Sequence, residues 1–121
     1  VRDEDRDSIG QAADYLLRRE GIETVLCYGI VNNQYVDGSL RTISDVVDPD
    51  RFLKELLGSD PQGVPYGGGR ADKGAFKIDI GIFTRCDDKE LLWRLVQRTI
   101  EELFFNKIGI SRDEKMPNKG V

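Results

Sequence analysis

The chain has 121 residues, enough for one domain and one modest core, with 39% hydrophobic and 33% charged residues. Eighteen basic against twenty-two acidic side chains give a net charge of −4, and the pI is about 4.9, which excludes a generally basic nucleic-acid binder but not a local phosphate site. The absence of histidine excludes His-based acid–base catalysis and His-ligated metal, and two cysteines, Cys27 and Cys86, are too few for a disulfide framework.

The chain starts Val1-Arg2-Asp3, its one methionine is Met116, and it carries neither a signal h-region nor an apolar run near the ~18–20 residues that cross a membrane. It reads as a cytoplasmic piece of a longer protein. Residues 1–7 are almost wholly charged and are expected to be a linker. From Ser8, the residues Ile9, Ala12, Ala13, Leu16 and Leu17 recur at helical steps and predict a helix, capped by Asp7 or Ser8 and ended at Gly21. Residues 22–31 are rich in β-branched and aromatic side chains and predict a strand, with Cys27 in its apolar run as a core thiol. Asn32-Asn33-Gln34 predicts a hairpin turn, and residues 35–44 a return strand with Gly38 as an irregularity.

Asp48-Pro49 marks the next helix: an N-cap followed by a residue suited to the first helical position, then Phe52, Leu53, Leu56 and Leu57 as its apolar stripe and Gly58 as its stop. Residues 59–73 show no periodicity over a length that is usually functional or disordered. Residues 75–83 alternate, with Phe76, Ile78, Ile80 and Ile82 on one side, and predict a half-buried strand. Asp87 and Glu90 read as a capping box before the longest helix, whose stripe is Leu91, Leu92, Leu95, Val96, Ile100, Leu103 and Phe104. Trp93 falls beside that stripe, and residues 110–121 are expected to be a flexible tail. The expected fold class is α/β of α+β character: a small mixed sheet of three to five strands, with an N-terminal hairpin, flanked by helices over residues 8–109.

The chemistry concentrates in Tyr66-Gly67-Gly68-Gly69-Arg70-Ala71-Asp72-Lys73-Gly74. Consecutive glycines let backbone amides converge on an anion, and Arg70 and Lys73 add positive charge beside them. An arginine fork suits phosphate oxygens. The segment is not a P-loop, because Ala75 stands where the lysine belongs, Phe76 replaces the hydroxyl residue, and a strand follows where a helix should. By composition alone the segment reads as a flexible surface loop. Tyr66 suits either stacking on a base or packing at the loop base.

A second stretch, Ser39-Leu40-Arg41-Thr42, lies on the return strand. With the helix at 48–58, Gly67-Gly68-Gly69-Arg70, and Gly74-Ala75 before the strand at 76–83, it resembles the C-terminal, DHH-associated domain of the DHH-family phosphoesterases, the RecJ-like and oligoribonuclease-like superfamily. That family's pattern is Ser-x-Arg-Ser on a strand, a short helix, Gly-Gly-Gly-His, a small-residue turn and a strand. The resemblance spans residues 8–108.

The resemblance implies a phosphate- or nucleotide-binding domain that closes over an N-terminal DHH catalytic domain of the same chain. That domain would hold two divalent metal ions, usually manganese, and cleave phosphoesters of nucleotides or short single-stranded nucleic acid. Carried over by position, Gly67, Gly68 and Gly69 offer amides to phosphate, Arg41 pairs with phosphate or anchors the loop, and Ser39 and Thr42 are weaker contacts. Arg70 stands where the family has histidine. It stabilises charge but transfers no proton. With no Asp-His-His triplet, this segment is expected to bind and not to hydrolyse: it carries no catalytic residue, metal ligand or cofactor of its own. No membrane partner is implied, and a homodimer stays open. Two other readings remain: a non-catalytic nucleotide- or nucleic-acid-binding regulatory module, and an interaction domain whose glycine loop is merely flexible.

Overall fold

The computed structural model of the chain describes residues 11–109. The expected linker at 1–7, the helix cap at Asp7 or Ser8, and the expected tail at 110–121 lie outside the described residues.

The first described element is a strand, β1 (Ala12–Arg19), where helical spacing predicts a helix. Ala13, Tyr15 and Leu17 alternate into the core, and Asp14 and Arg18 point out. Pairing with β2 (Ile22–Val31) decides the conformation, since eight consecutive residues of β1 are matched antiparallel from Ala12↔Gly29 to Arg19↔Ile22. Gly21, at φ 76°, closes the tight turn between them. A left-handed glycine ends helices and turns hairpins alike.

Next, β2 pairs antiparallel with β3 (Tyr35–Thr42). The asparagine turn is as expected: Asn32 and Asn33 have φ of 57° and 50°, and the Gln34 amide donates to the Val31 carbonyl at 3.1 Å. Helix α1 (Pro49–Leu57) follows, with the Asp48 side chain accepting from the Asp50 amide and Gly58 at its end. The aperiodic stretch after it is ordered. Its first half is a turn in which Asp60 accepts the amides of Gln62 and Val64, both at 2.9 Å. Its second half is a strand, β4 (Gly67–Arg70), joined by the Ala71-Asp72 turn to β5 (Lys73–Asp79). Beyond Asp79 the chain leaves the sheet into a 3₁₀ turn (Gly81–Arg85), so Ile82 is exposed and does not extend the buried face. Helix α2 (Lys89–Ile108) is capped by Asp88, one residue after the expected cap, and stops at left-handed Gly109.

The described residues form an α+β fold: five strands in the order β1-β2-β3-β5-β4, every pairing antiparallel, with the two described helices packed on one face. Alternate cross-strand rows face the helices. Tyr28, Gly38 and Phe76 form one such row across β2, β3 and β5. Gly38 is not an irregularity. It stays in register because the Phe76 ring occupies the space a Cβ would take. Phe104 of α2 packs on Phe76 and Phe52 with ring centroids 5.8 Å apart, and Trp93 lies buried on Tyr28 at 5.7 Å. The α2 stripe is rotated from the expected one: Leu92, Trp93, Val96, Ile100, Glu101, Phe104 and Phe105 are buried, while Leu91, Leu95 and Leu103 are exposed.

A polar cluster enters this core from α2. The Tyr15 hydroxyl donates to Glu101 Oε2 at 2.6 Å and accepts from Gln97 Nε2 at 2.6 Å. A buried carboxylate needs such a donor, because desolvation otherwise drives it neutral. Burial and the neighbouring Glu101 push the Tyr15 hydroxyl up to about 12, and burial moves Tyr28 in the same direction. No described helix is long and apolar enough to cross a membrane.

Candidate phosphate-binding site

No described helix lies on the other face of the sheet. Its rows interleave with those of the core, because successive side chains on a strand point to opposite sides. Cys27 belongs here, half-buried in a row with Asp14 and Ser39, and not in the core as the apolar run suggests. At the far end of this face Lys77 Nζ sits 4.2 Å from the centroid of the Tyr35 ring.

The register collects the expected site residues. Arg41 on β3 pairs with Lys73 on β5, and Lys73 pairs with Arg70 on β4. Directly opposite residues on neighbouring strands are ~4.5–5.5 Å apart at Cβ and share a face. Three cations separated by 32 residues of sequence between Arg41 and Lys73 thus stand in one row at the hairpin end of the sheet. All three are exposed, and none has an ion-pair partner among the described residues. Like charges side by side in a sheet oppose one another, so an anion over the row is favoured. Ser39 is two residues along β3 from Arg41 on the same face, opposite Ala75. Thr42 is turned the other way: it is buried, and its Oγ1 donates to the Glu23 carbonyl at 3.1 Å. That removes it from the site.

The glycines divide between two tasks. The Lys77 amide donates to the Tyr66 carbonyl at 2.9 Å, which sets the phase of the antiparallel ladder and turns the amides of Gly67 and Gly69 outward from β4. The Gly69 amide is already engaged: it donates to Asp50 Oδ1 at 3.0 Å. Lys54 Nζ donates to the same carboxylate at 3.2 Å, and these two donors hold the Asp50 carboxyl below its ordinary range. The glycines also form a floor for α1. A Cβ on Gly74 would meet Leu53 Cδ1 at 2.8 Å, and one on Gly67 would meet Leu53 Cβ at 3.2 Å. Tyr66 is half-buried at the start of this arrangement, its amide donating to the Gly58 carbonyl at 3.1 Å.

Asp50 is the residue that sequence reasoning missed. A carboxylate in the first turn of a helix ordinarily complements the helix dipole, and that ordinary role hides its reach to β4. No local pattern in the sequence signals that reach. Among the described residues no group of three or more His, Cys, Asp or Glu side chains could hold a metal ion.

The chain is 36% identical over 110 residues to an uncharacterized protein of Methanocaldococcus jannaschii. The match covers 91% of this chain but 21% of that protein, so the chain spans about one fifth of the curated relative it matches. No family model matches the chain. No solved structure matches it either.

Proposed function

We propose that this domain binds the phosphate of a nucleotide or short single-stranded nucleic acid, as the C-terminal, DHH-associated part of a metal-dependent phosphoesterase. The observation that carries the reading is the cross-strand row Arg41, Lys73 and Arg70, unpaired among the described residues. Two further features support it. Ser39 shares the face of Arg41, and the glycine strand lies against the row with the Gly67 amide turned outward. In this reading Arg70 and Arg41 grip phosphate oxygens as forks, Lys73 contributes a point charge between them, and Gly67 supplies a backbone donor. Their work is positioning and charge stabilisation. The two divalent ions and the water they activate would belong to a catalytic domain outside this segment. That the homologous relative is more than four times as long fits a domain that works beside others. The acidic balance of the chain favours a small substrate over long nucleic acid.

The test is an amide-shift titration of the chain by NMR at low salt, with a dinucleotide monophosphate and with inorganic phosphate. Shifts centred on Gly67, Arg70, Lys73 and Arg41, and weakened by Arg70→Ala, are the expected result. Shifts located elsewhere, or unaffected by Arg70→Ala, overturn the assignment.

A further inference from the structure

The sheet has two edges, and they are treated differently. At β4 the outward Gly69 amide is taken by Asp50, and α1 packs against the strand. At β1 nothing among the described residues pairs with the outer side. The phase of that edge follows from one bond: the Ile30 amide donates to the Gln11 carbonyl at 3.3 Å. Gln11, Ala13, Tyr15, Leu17 and Arg19 therefore turn their backbone groups toward β2, and Asp14, Leu16 and Arg18 turn theirs outward. The side chains of those same three residues lie on the open face.

We propose that two copies of the chain pair antiparallel through β1, about a dyad at Leu16, into one continuous ten-stranded sheet. Charge selects this register. With Leu16 opposite Leu16, Asp14 of each copy meets Arg18 of the other, and all three residues present outward N–H and C=O groups to their counterparts. A dyad at Asp14 or at Arg18 sets like charges against each other. A dyad at Tyr15 or Leu17 leaves a charged residue facing Leu16. Within one chain Asp14 has no cationic partner among the described residues. Arg18 holds Glu23 at 3.0 Å, and a guanidinium has donors enough for a second carboxylate. The open-face row then continues through the dyad, since Leu16 is the cross-strand neighbour of half-exposed Val25. A dyad normal to the sheet keeps both helical layers on one side. Helix α2 reaches β1 only from the core face, where Tyr15 meets Phe105, Glu101 and Gln97, and the outward backbone groups of Asp14, Leu16 and Arg18 lie at the strand's other side.

The experiment combines sedimentation equilibrium with amide hydrogen exchange of the 121-residue chain, across concentrations up to about 1 mM, the range of a weak edge contact. The mass is expected to rise from 13.7 kDa toward twice that value. The amides of Asp14, Leu16 and Arg18 are expected to slow with concentration, while Ala13, Tyr15 and Leu17 stay protected throughout. Asp14→Arg and Arg18→Asp should each raise the dissociation constant ~10-fold or more, because like charges then face across the dyad. Asp14→Arg combined with Arg18→Asp should restore it, although the combined variant loses the same Glu23 contact as Arg18→Asp alone. A single 13.7 kDa species with fast exchange at the three amides overturns the proposal. Protection there that ignores concentration overturns it too, since the chain's own residues then cover the edge. So does a dimer that leaves those amides fast, since another surface then makes it. If a charge variant fails to fold, the exchange of the unaltered chain still decides.

Discussion

Asp50 accepts the amide of Gly69 at 3.0 Å, so an anion from α1 already sits against the glycine strand beside the Arg41–Lys73–Arg70 row. The carboxylate organises the strand edge and also repels any phosphate that approaches it. Asp50→Asn keeps an oxygen acceptor for Gly69 and removes the charge. Phosphate affinity is expected to rise about two- to fivefold, because a like charge beside the ligand is removed and water screens much of its effect. The amide-shift titration reads it, and a loss of affinity would show that Asp50 builds the site more than it opposes the ligand.

Removing one fork from the row should weaken the contact without touching the fold, because Arg41 and Arg70 are exposed. Arg41→Ala and Arg70→Ala are each expected to lower affinity for a short oligonucleotide about tenfold, in line with ~1.5–3 kcal/mol for hydrogen bonds to charged groups discounted for exposure. Each should also flatten the salt dependence of log K by ~0.7, the single-strand value per phosphate contact. Arg98→Ala, on α2 and facing Glu102 at 4.0 Å, should change neither.

Gly38 has no room for a side chain, since Phe76 lies where its Cβ would stand. Gly38→Ala is expected to destabilise the domain by ~1–3 kcal/mol, the usual cost of overpacking a filled core. Urea unfolding measures it. Phe76→Leu added to Gly38→Ala should recover part of the loss, because the smaller side chain vacates the contested space.

The buried tyrosines make the fold sensitive to alkali. Tyr15 is pushed up to about 12 by burial and by Glu101, and Tyr28 is raised by burial, against ~10 for an unfolded tyrosine. A group whose folded value is raised keeps its stabilising contribution below the unfolded value and loses it as the pH climbs toward the folded one. Stability should therefore be level up to about pH 10 and fall between about 10 and 12, with Tyr15→Phe reducing the slope. The urea midpoint followed against pH tests this, and a midpoint independent of pH across that window would exclude it.

The parts of the fold that local chemistry specifies were legible. Asp48-Pro49 starts a helix whatever surrounds it, Asn32-Asn33 turns the chain, and the spacing of Val96, Ile100 and Phe104 buries one side of a long helix. What failed depends on partners distant in sequence. Ala12, Ala13, Leu16 and Leu17 have helical spacing and good helix propensity, yet Ala13, Tyr15 and Leu17 also alternate, and only pairing with β2 chooses between the two patterns. The glycine run read as a loop because glycine is rare in strands. It pairs here, where α1 crowds Gly67 and Gly68 and the β5 backbone crowds Gly69, so that only glycine fits. The residues of the cationic row were individually visible, but their adjacency was not, since it arises from the β3–β5 register across a helix and a hairpin. Asp50 was hidden by having an ordinary reason to be where it is.

The bonds from Tyr15 to Gln97 and Glu101 join residues 82 and 86 positions apart, and the rings of Phe104 and Trp93 complete the cover over the same sheet. During synthesis the β1–β2–β3 meander can form as soon as it emerges, from neighbours in sequence. Its apolar face then waits for α2, the last described element to be made. Long-range contacts of this kind form only after the entropy of closing the intervening loop has been overcome, so folding is gated by the arrival of α2. A nascent chain stopped before residue 89 lacks the Trp93 and Phe104 rings, and so leaves Tyr28 and one side of Phe76 open to any other apolar surface nearby.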